Sequence, residues 1–533
     1  MTQQPQARKS RKKKIEPLFD GAEWNFETLQ DAYAAIEEIA LNDLGLDVYA
    51  NQIEIISAEQ MLDAYCSIGM PLMYQHWSYG KRFVQEQDLY RTGHMGLAYE
   101  IVINSSPCIS YYMEESTMPL QTLTIAHAAF GHNHFFKNNY LFQQWTDADG
   151  ILDYLEFAKR YIARCEERHG LEAVEEILDA THALMDQGIF RYRRHPKPNL
   201  RQQQEQERER REYNEQHYND LWRTLPEDKS AADPNQAEQD LAARKKNLKL
   251  PEENLLYFIE KNSPVLENWE REIVRIVRNI SQYFYPQKQT KVMNEGCATF
   301  VHYYIVNELY DKGLLTEGTL MEILHSHSSV VMQPGYDDPR FSGINPYALG
   351  FAMMKDIQRI ATDPTDEDRR WFPAFAGTGD WREVLKDAWA NYRDESFIRQ
   401  FLSPHLIREF KLFQLQDNAR DSHVTIGAIH DDAGYEKIRD TFAQSYDVPT
   451  QEPDIQIVDV DLLGDRELLL QHTVHDGIPL AMATRKSVLS HLRRLWGYDV
   501  ALVGIDGVTG ETRYEVRPNA TKDTAKDDDK SSP

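Results

Sequence analysis

Ile125-Ala126-His127-Ala128-Ala129-Phe130-Gly131-His132-Asn133-His134-Phe135-Phe136-Lys137-Asn138-Asn139 puts three of the chain's eighteen histidines within a few residues of one another. Leu123, Ile125, Ala126, Ala128 and Ala129 give the segment the texture of a buried helix. Neutral imidazoles this close together in an apolar setting need a metal or hydrogen-bond partners. At ~100° per residue, His127 and His134 fall within ~20° of each other on an ideal helix, and His132 lies ~140° from His127. Gly131 weakens the helix at that point, and an i→i+5 bulge there would bring His132 into line with His127 instead. Both pairings stand at this point.

A second stretch, Met293-Asn294-Glu295-Gly296-Cys297-Ala298-Thr299-Phe300-Val301-His302, places Glu295 and His302 seven residues apart with Thr299 between them on one face. Two histidines facing a Glu/His helix form a candidate four-ligand set for zinc or another first-row divalent metal. The candidates are His127, His132, His134, Glu295 and His302. The same residues also suit a buried polar network in which His and Glu satisfy one another. His325 and His327 stand in reserve near the end of a later helix, where histidine more often compensates the helix dipole.

The composition sets the surroundings. With 533 residues, 41% apolar and 11% aromatic, the chain exceeds a single hydrophobic core. A formal charge of −26 makes nucleic acid an unlikely partner, because phosphate binding needs a basic surface. The one basic patch, Arg8 to Lys14, lies in an arm (1–16) that reads as disordered, and no apolar run follows it as a secretory signal would require. No run approaches the length of a membrane span. Four scattered cysteines without any Cys-x-x-Cys fit a reducing, cytoplasmic location.

Along the chain, periodicity predicts an α+β protein: a predominantly α-helical main domain with a small β-hairpin or sheet element, then a small C-terminal α+β domain. The main domain reads as two halves, 17–196 and 254–415, split by a charged mobile insertion at 197–253. The C-terminal domain spans 416–518, and the tail 519–533 reads as disordered. Tyr99–Asn104 and Cys108–Met113 read as a hairpin delivering Glu114 and Glu115 to the start of the histidine helix. The loop carrying His76, Trp77, Lys81 and Arg82, and the polar run Lys137, Asn138 and Asn139, are candidate binding residues for a planar or anionic ligand.

These stretches, with His76-Trp77-Ser78-Tyr79-Gly80-Lys81-Arg82-Phe83, Tyr99-Glu100-Ile101-Val102-Ile103-Asn104 and Asn345-Pro346-Tyr347-Ala348-Leu349-Gly350, closely resemble the stage V sporulation protein R (SpoVR-like) family from about Pro17 to about Trp496. The most specific motif is His-x4-His-x2-Phe-Phe-Lys-Asn-Asn at His127 to Asn139. The family pattern does not require histidine at position 134, which favours the pair His127 and His132. The resemblance implies a cytoplasmic regulatory protein linked to spore cortex formation or to stationary-phase stress physiology, beside a PrkA-type serine kinase and a von Willebrand A-domain protein.

No Walker or Rossmann glycine loop and no Gly-x-Ser-x-Gly elbow is present, so nucleotide hydrolysis and serine-hydrolase chemistry lack their parts. The enzyme class that remains is metal-dependent hydrolysis of a peptide or amide. His127-x4-His132 with a downstream Glu295-Gly296 loosely resembles metallopeptidases, but Ala128 stands where those enzymes carry the water-activating glutamate. The base would have to be Glu114, Glu115 or an unligated Glu295.

Overall fold

The computed structural model describes residues 16–66, 73–79, 81, 83–85, 100–191, 248, 250–416, 425–428, 430–462, 464–475 and 479–517. The expected basic arm and acidic tail, and nearly all of the expected insertion, lie outside these residues. The chain divides into two compact units. One comprises residues up to Leu171 together with Tyr283–Gln451; the other comprises Glu172–Gln282 and the chain from Glu452 on. Tyr435, Ile438 and Ala443 of the helix Asp432–Gln444 join the large core of the first unit.

The larger unit is helical around a three-stranded sheet in the order β1-β3-β2, with β1 Asn51–Ile56, β2 Glu100–Ile103 and β3 Cys108–Met113. β2 and β3 form the expected antiparallel hairpin with Glu100 opposite Tyr112, and β1 pairs parallel to β3. A further pair, β4 Gln414–Gln416 and β5 Thr425–Ala428, is antiparallel. The histidine helix starts at Met118, where the Thr117 hydroxyl accepts from the Leu120 amide and Pro119 occupies the first turn. It continues through a π segment, Ile125–His132, and ends at Asn138.

Against it packs the glutamate helix, Lys291–Asp311, buried on almost every side. Close approach explains a glycine on each of these two helices. A Cβ on Gly131 would stand 2.5 Å from the Ala298 Cα, and a Cβ on Gly296 would stand 2.6 Å from the Gly350 backbone in the helix Pro346–Thr362. Only glycine permits such crossings, and they align the histidine and glutamate rows.

The start of the glutamate helix is capped from a distance by Asp394, whose carboxylate oxygens accept from the Val292 (2.8 Å) and Met293 (2.9 Å) amides. Burial outweighs those amides and pushes the Asp394 carboxyl up to about 7. The folded state therefore holds this proton more tightly than the unfolded chain. The stability Asp394 contributes is fully present below its unfolded value near 4 and is lost as pH rises towards 7. Asp394→Asn, which keeps one acceptor oxygen, is expected to flatten the fall in melting temperature between pH 4 and pH 7, read by circular dichroism. An unchanged profile would show that the proton sits elsewhere.

Pro286 lies inside the helix Asn268–Gln289, whose packing outweighs the lost amide donor and the crowding that proline brings. The stretch Phe397 to Phe413 is two short helices, Asp394–Phe401 and Pro404–Glu409, because Ser403 starts a new cap by accepting from the Leu406 amide. In the second unit, β6 Asp454–Val460, β7 Leu468–Val474, β8 Val500–Asp506 and β9 Thr512–Val516 form one sheet in that order. The helix Met482–Trp496 makes the crossover between the parallel strands β7 and β8. The α+β class is as expected.

Candidate metal centre

The π segment decides between the two histidine pairings. Its wider turn puts residues five apart on one face, so His127 and His132 point the same way, with ring centroids 4.7 Å apart. Their Nε2 atoms face two carboxylates. Glu100 Oε1 lies 3.6 Å from His127 Nε2, and Glu295 Oε2 lies 4.0 Å from His127 Nε2 and 3.6 Å from His132 Nε2. Glu100, His127 and His132 each offer a ligand atom within 4.8 Å of the other two. Among the described residues, His127 Nε2 and Glu295 Oε2 are buried without a hydrogen-bond partner, as is the Thr299 hydroxyl one turn along the glutamate helix.

The opposite edge of each imidazole is held. His132 Nδ1 lies 2.9 Å from Asn294 Oδ1, a pure acceptor, so this nitrogen carries the proton and Nε2 keeps its lone pair for the centre. Phe136 stacks on His132 and Tyr347 on His127. Burial, then the neighbouring His132 and His302, hold His127 well below the usual histidine range, so it is neutral as a ligand must be. Burial and the charge of Glu295 push the Glu100 carboxyl up to about 8. A cation between the carboxylates would act in the opposite sense.

His134 is not brought to this centre. Its Nδ1 accepts from the Asp47 amide at 3.0 Å. Lys137 pairs with the Asp47 carboxylate at 2.6 Å, and Asn138 donates to the Asp47 carbonyl. Asn139 donates to the Trp389 and Tyr392 carbonyls and caps the helix Tyr140–Trp145. These polar residues therefore clamp the chain rather than line a ligand site. His134→Ala is expected to cost about 1–3 kcal/mol by leaving the Asp47 amide without its acceptor. Metal content should stay that of the wild type, and a loss of metal in elemental analysis would contradict this placement.

Glu114 and Glu115 are exposed, and the Glu115 carboxylate accepts from the Ala58 amide at the start of the helix Ala58–Cys66. Among the described residues, the carboxylates within 4.0 Å of the two histidines are Glu100 and Glu295. The hairpin does deliver a carboxylate, but from β2 rather than from beyond β3. Glu100 breaks an otherwise apolar strand, Ile101-Val102-Ile103, and that was its signal in the sequence. His302 sits behind His127, with Nδ1 to Nδ1 at 2.9 Å, instead of facing the centre. His327 stands behind His302, its Nδ1 2.8 Å from His302 Nε2.

In the aromatic loop, His76 is buried with Nδ1 2.6 Å from the Ser78 hydroxyl, Trp77 and Lys81 are exposed, and Arg82 lies outside the described residues. No helix among the described residues is long and apolar enough to cross a membrane.

Two buried helices and a strand that bring two imidazoles and two carboxylates to one point define a candidate metalloprotein centre in an α+β fold. A family model described as "SpoVR like protein" matches residues 23–451, and one described as "SpoVR-like C-terminal domain" matches residues 453–507. The chain belongs to the SpoVR-like family, and the break between the two matches coincides with the later unit boundary. It is 53% identical over 485 residues to "Uncharacterized protein YcgB" of Escherichia coli (strain K12), covering 91% of this chain and 93% of that protein. No solved structure matches the chain.

Proposed function

We propose that Glu100, His127 and His132 hold a first-row divalent metal, with zinc the best match to a donor set of two histidines and a carboxylate. The observation that carries this is His127 Nε2, buried and unpartnered between carboxylates at 3.6 and 4.0 Å. A buried polar group left unpaired costs about 1–3 kcal/mol, and a cation removes that penalty together with the repulsion of the carboxylates. The separations support the same reading. They exceed a hydrogen bond, yet lie near the ~3.3 Å edge of a tetrahedron built on ~2.0 Å bonds.

The chemistry this arrangement suits best is hydrolysis of an amide or peptide. When bound, the ion would act as a Lewis acid on a carbonyl and ease deprotonation of water. Glu295, beside both imidazoles, takes the role of general base that Ala128 leaves vacant. His132 and His127 present lone pairs, and the stacked Tyr347 and Phe136 screen the centre.

A second reading keeps Glu295 as a fourth ligand, which its 3.6 Å distance from His132 favours, and makes the centre structural in a regulatory protein. In either case we propose, from what the family resemblance implies, a cytoplasmic protein acting in spore cortex formation or stationary-phase stress physiology, with a PrkA-type kinase and a von Willebrand A-domain protein as partners. Elemental analysis of the purified full-length protein tests the common core. Stoichiometric zinc or a related metal is expected. Metal-free protein whose melting is unmoved by chelator and by added zinc would overturn both readings.

A further inference from the structure

We infer that His302 and His327 form a one-way imidazole chain that fixes the tautomer of His127, making them positioning residues for the metal proposed above, on which this inference rests. The chain runs from His127 Nδ1 to His302 Nδ1 at 2.9 Å, then from His302 Nε2 to His327 Nδ1 at 2.8 Å. All three rings are buried, with 2–6% of their surface exposed. A neutral imidazole carries one N–H, so each contact holds one proton and both must point the same way.

If the protons point inward, His327 Nδ1–H donates to His302 Nε2 and His302 Nδ1–H donates to His127 Nδ1. His127 then carries its proton on Nε2, where the nearest carboxylate oxygen is 3.6 Å away and no hydrogen bond forms. If they point outward, His127 Nδ1–H donates to His302 and His302 Nε2–H donates to His327, and the His127 Nε2 lone pair faces the carboxylates. The outward arrangement gives His127 the same ligand-ready tautomer that Asn294 imposes on His132. Two different devices thus serve two ligands: an amide oxygen behind one and a relay of rings behind the other.

Groups that fix a ligating histidine in this way are worth on the order of 10- to 100-fold in metal affinity. The full-length protein would be loaded with zinc and titrated against a competing chelator, as wild type, His302→Phe and His302→Gln. His302→Phe, which keeps a flat ring but offers no acceptor, is expected to weaken zinc on the order of 10- to 100-fold. His302→Gln, whose amide oxygen can accept from His127, should recover part of that loss. In wild-type protein labelled with nitrogen-15 in histidine, the His127 signals should show the proton on Nδ1 both with and without zinc. Equal zinc affinity of wild type and His302→Phe, or a His127 proton on Nε2 in the metal-free protein, would overturn the relay while leaving the metal reading intact. Wild-type protein that takes up no zinc would instead remove the metal reading, and the nitrogen-15 spectrum of that same protein would still decide the direction of the chain.

Discussion

Gly350→Ala is expected to destabilise the larger unit by about 3 kcal/mol or more, at the upper end of what overpacking costs. The added Cβ would run into the Val292 carbonyl oxygen and stand 2.7 Å from the Gly296 Cα. Both obstacles are backbone, so no side chain can rotate away. Relief requires parting the helices Lys291–Asp311 and Pro346–Thr362, whose contact buries Val292, Met293, Met353 and Met354. At roughly 2–4 °C per kcal/mol for domains of a few hundred residues, the melting temperature should fall by roughly 10 °C. Gly318→Ala supplies the control. Gly318 is exposed in the helix Glu317–Val330, and its new Cβ would meet only the Thr316 hydroxyl at 3.9 Å. Alanine there is expected to be neutral or to stabilise by about 0.5–1 kcal/mol, since glycine loses more backbone entropy in a helix. If Gly350→Ala melts together with Gly318→Ala, the crossing is looser than these distances describe.

Gly350 also marks how far the sequence could be read. Its motif, Asn345 to Gly350, was recognisable, but the division of labour within it was not. Asn345 caps the helix by accepting from the Tyr347 amide, Tyr347 walls His127, and Gly350 admits the neighbouring backbone. Strands and helices were legible where the apolar pattern was clear, as in the β2–β3 hairpin and the histidine helix. At the centre, spacing named His127 and Glu295 but left His132 and His134 as alternatives, with Gly131 hinting at the bulge; the family resemblance, not the spacing, favoured His132. Glu100 could not be placed, because its partners are 27 and 32 residues away in sequence and only pairing within the sheet turns it towards them. His302 was placed on the correct helix face, yet whether a ring at that position ligates or supports a ligand depends on an ångström-scale offset that no periodicity encodes.

The largest functional effect should come from His132→Ala, set beside Glu295→Gln. His132 contributes one of three mutually close ligand atoms, so its loss should empty the centre of metal. A ligand held at a thousand times its dissociation constant stabilises the folded state by about 4 kcal/mol, so the melting temperature of His132→Ala should fall to that of chelator-treated wild type and stop responding to chelator. Glu295→Gln distinguishes the two readings of the centre. If Glu295 is the general base, the amide variant keeps its metal, because Glu100, His127 and His132 remain, and it melts close to wild type. Hydrolysis of a peptide or amide substrate would then fall by about 10²–10⁴-fold, the usual worth of a positioned base. If Glu295 is instead a fourth ligand of a closed structural site, Glu295→Gln should lose metal affinity and melting temperature together, as His132→Ala does. The hydrolytic reading is favoured here because Glu295 Oε2 is an unpartnered acceptor beside both imidazoles, where a proton taken from water can rest. A fully metallated, thermally unchanged Glu295→Gln protein with undiminished hydrolysis would assign the base elsewhere. A demetallated one would return Glu295 to the ligand set and the protein to the regulatory reading.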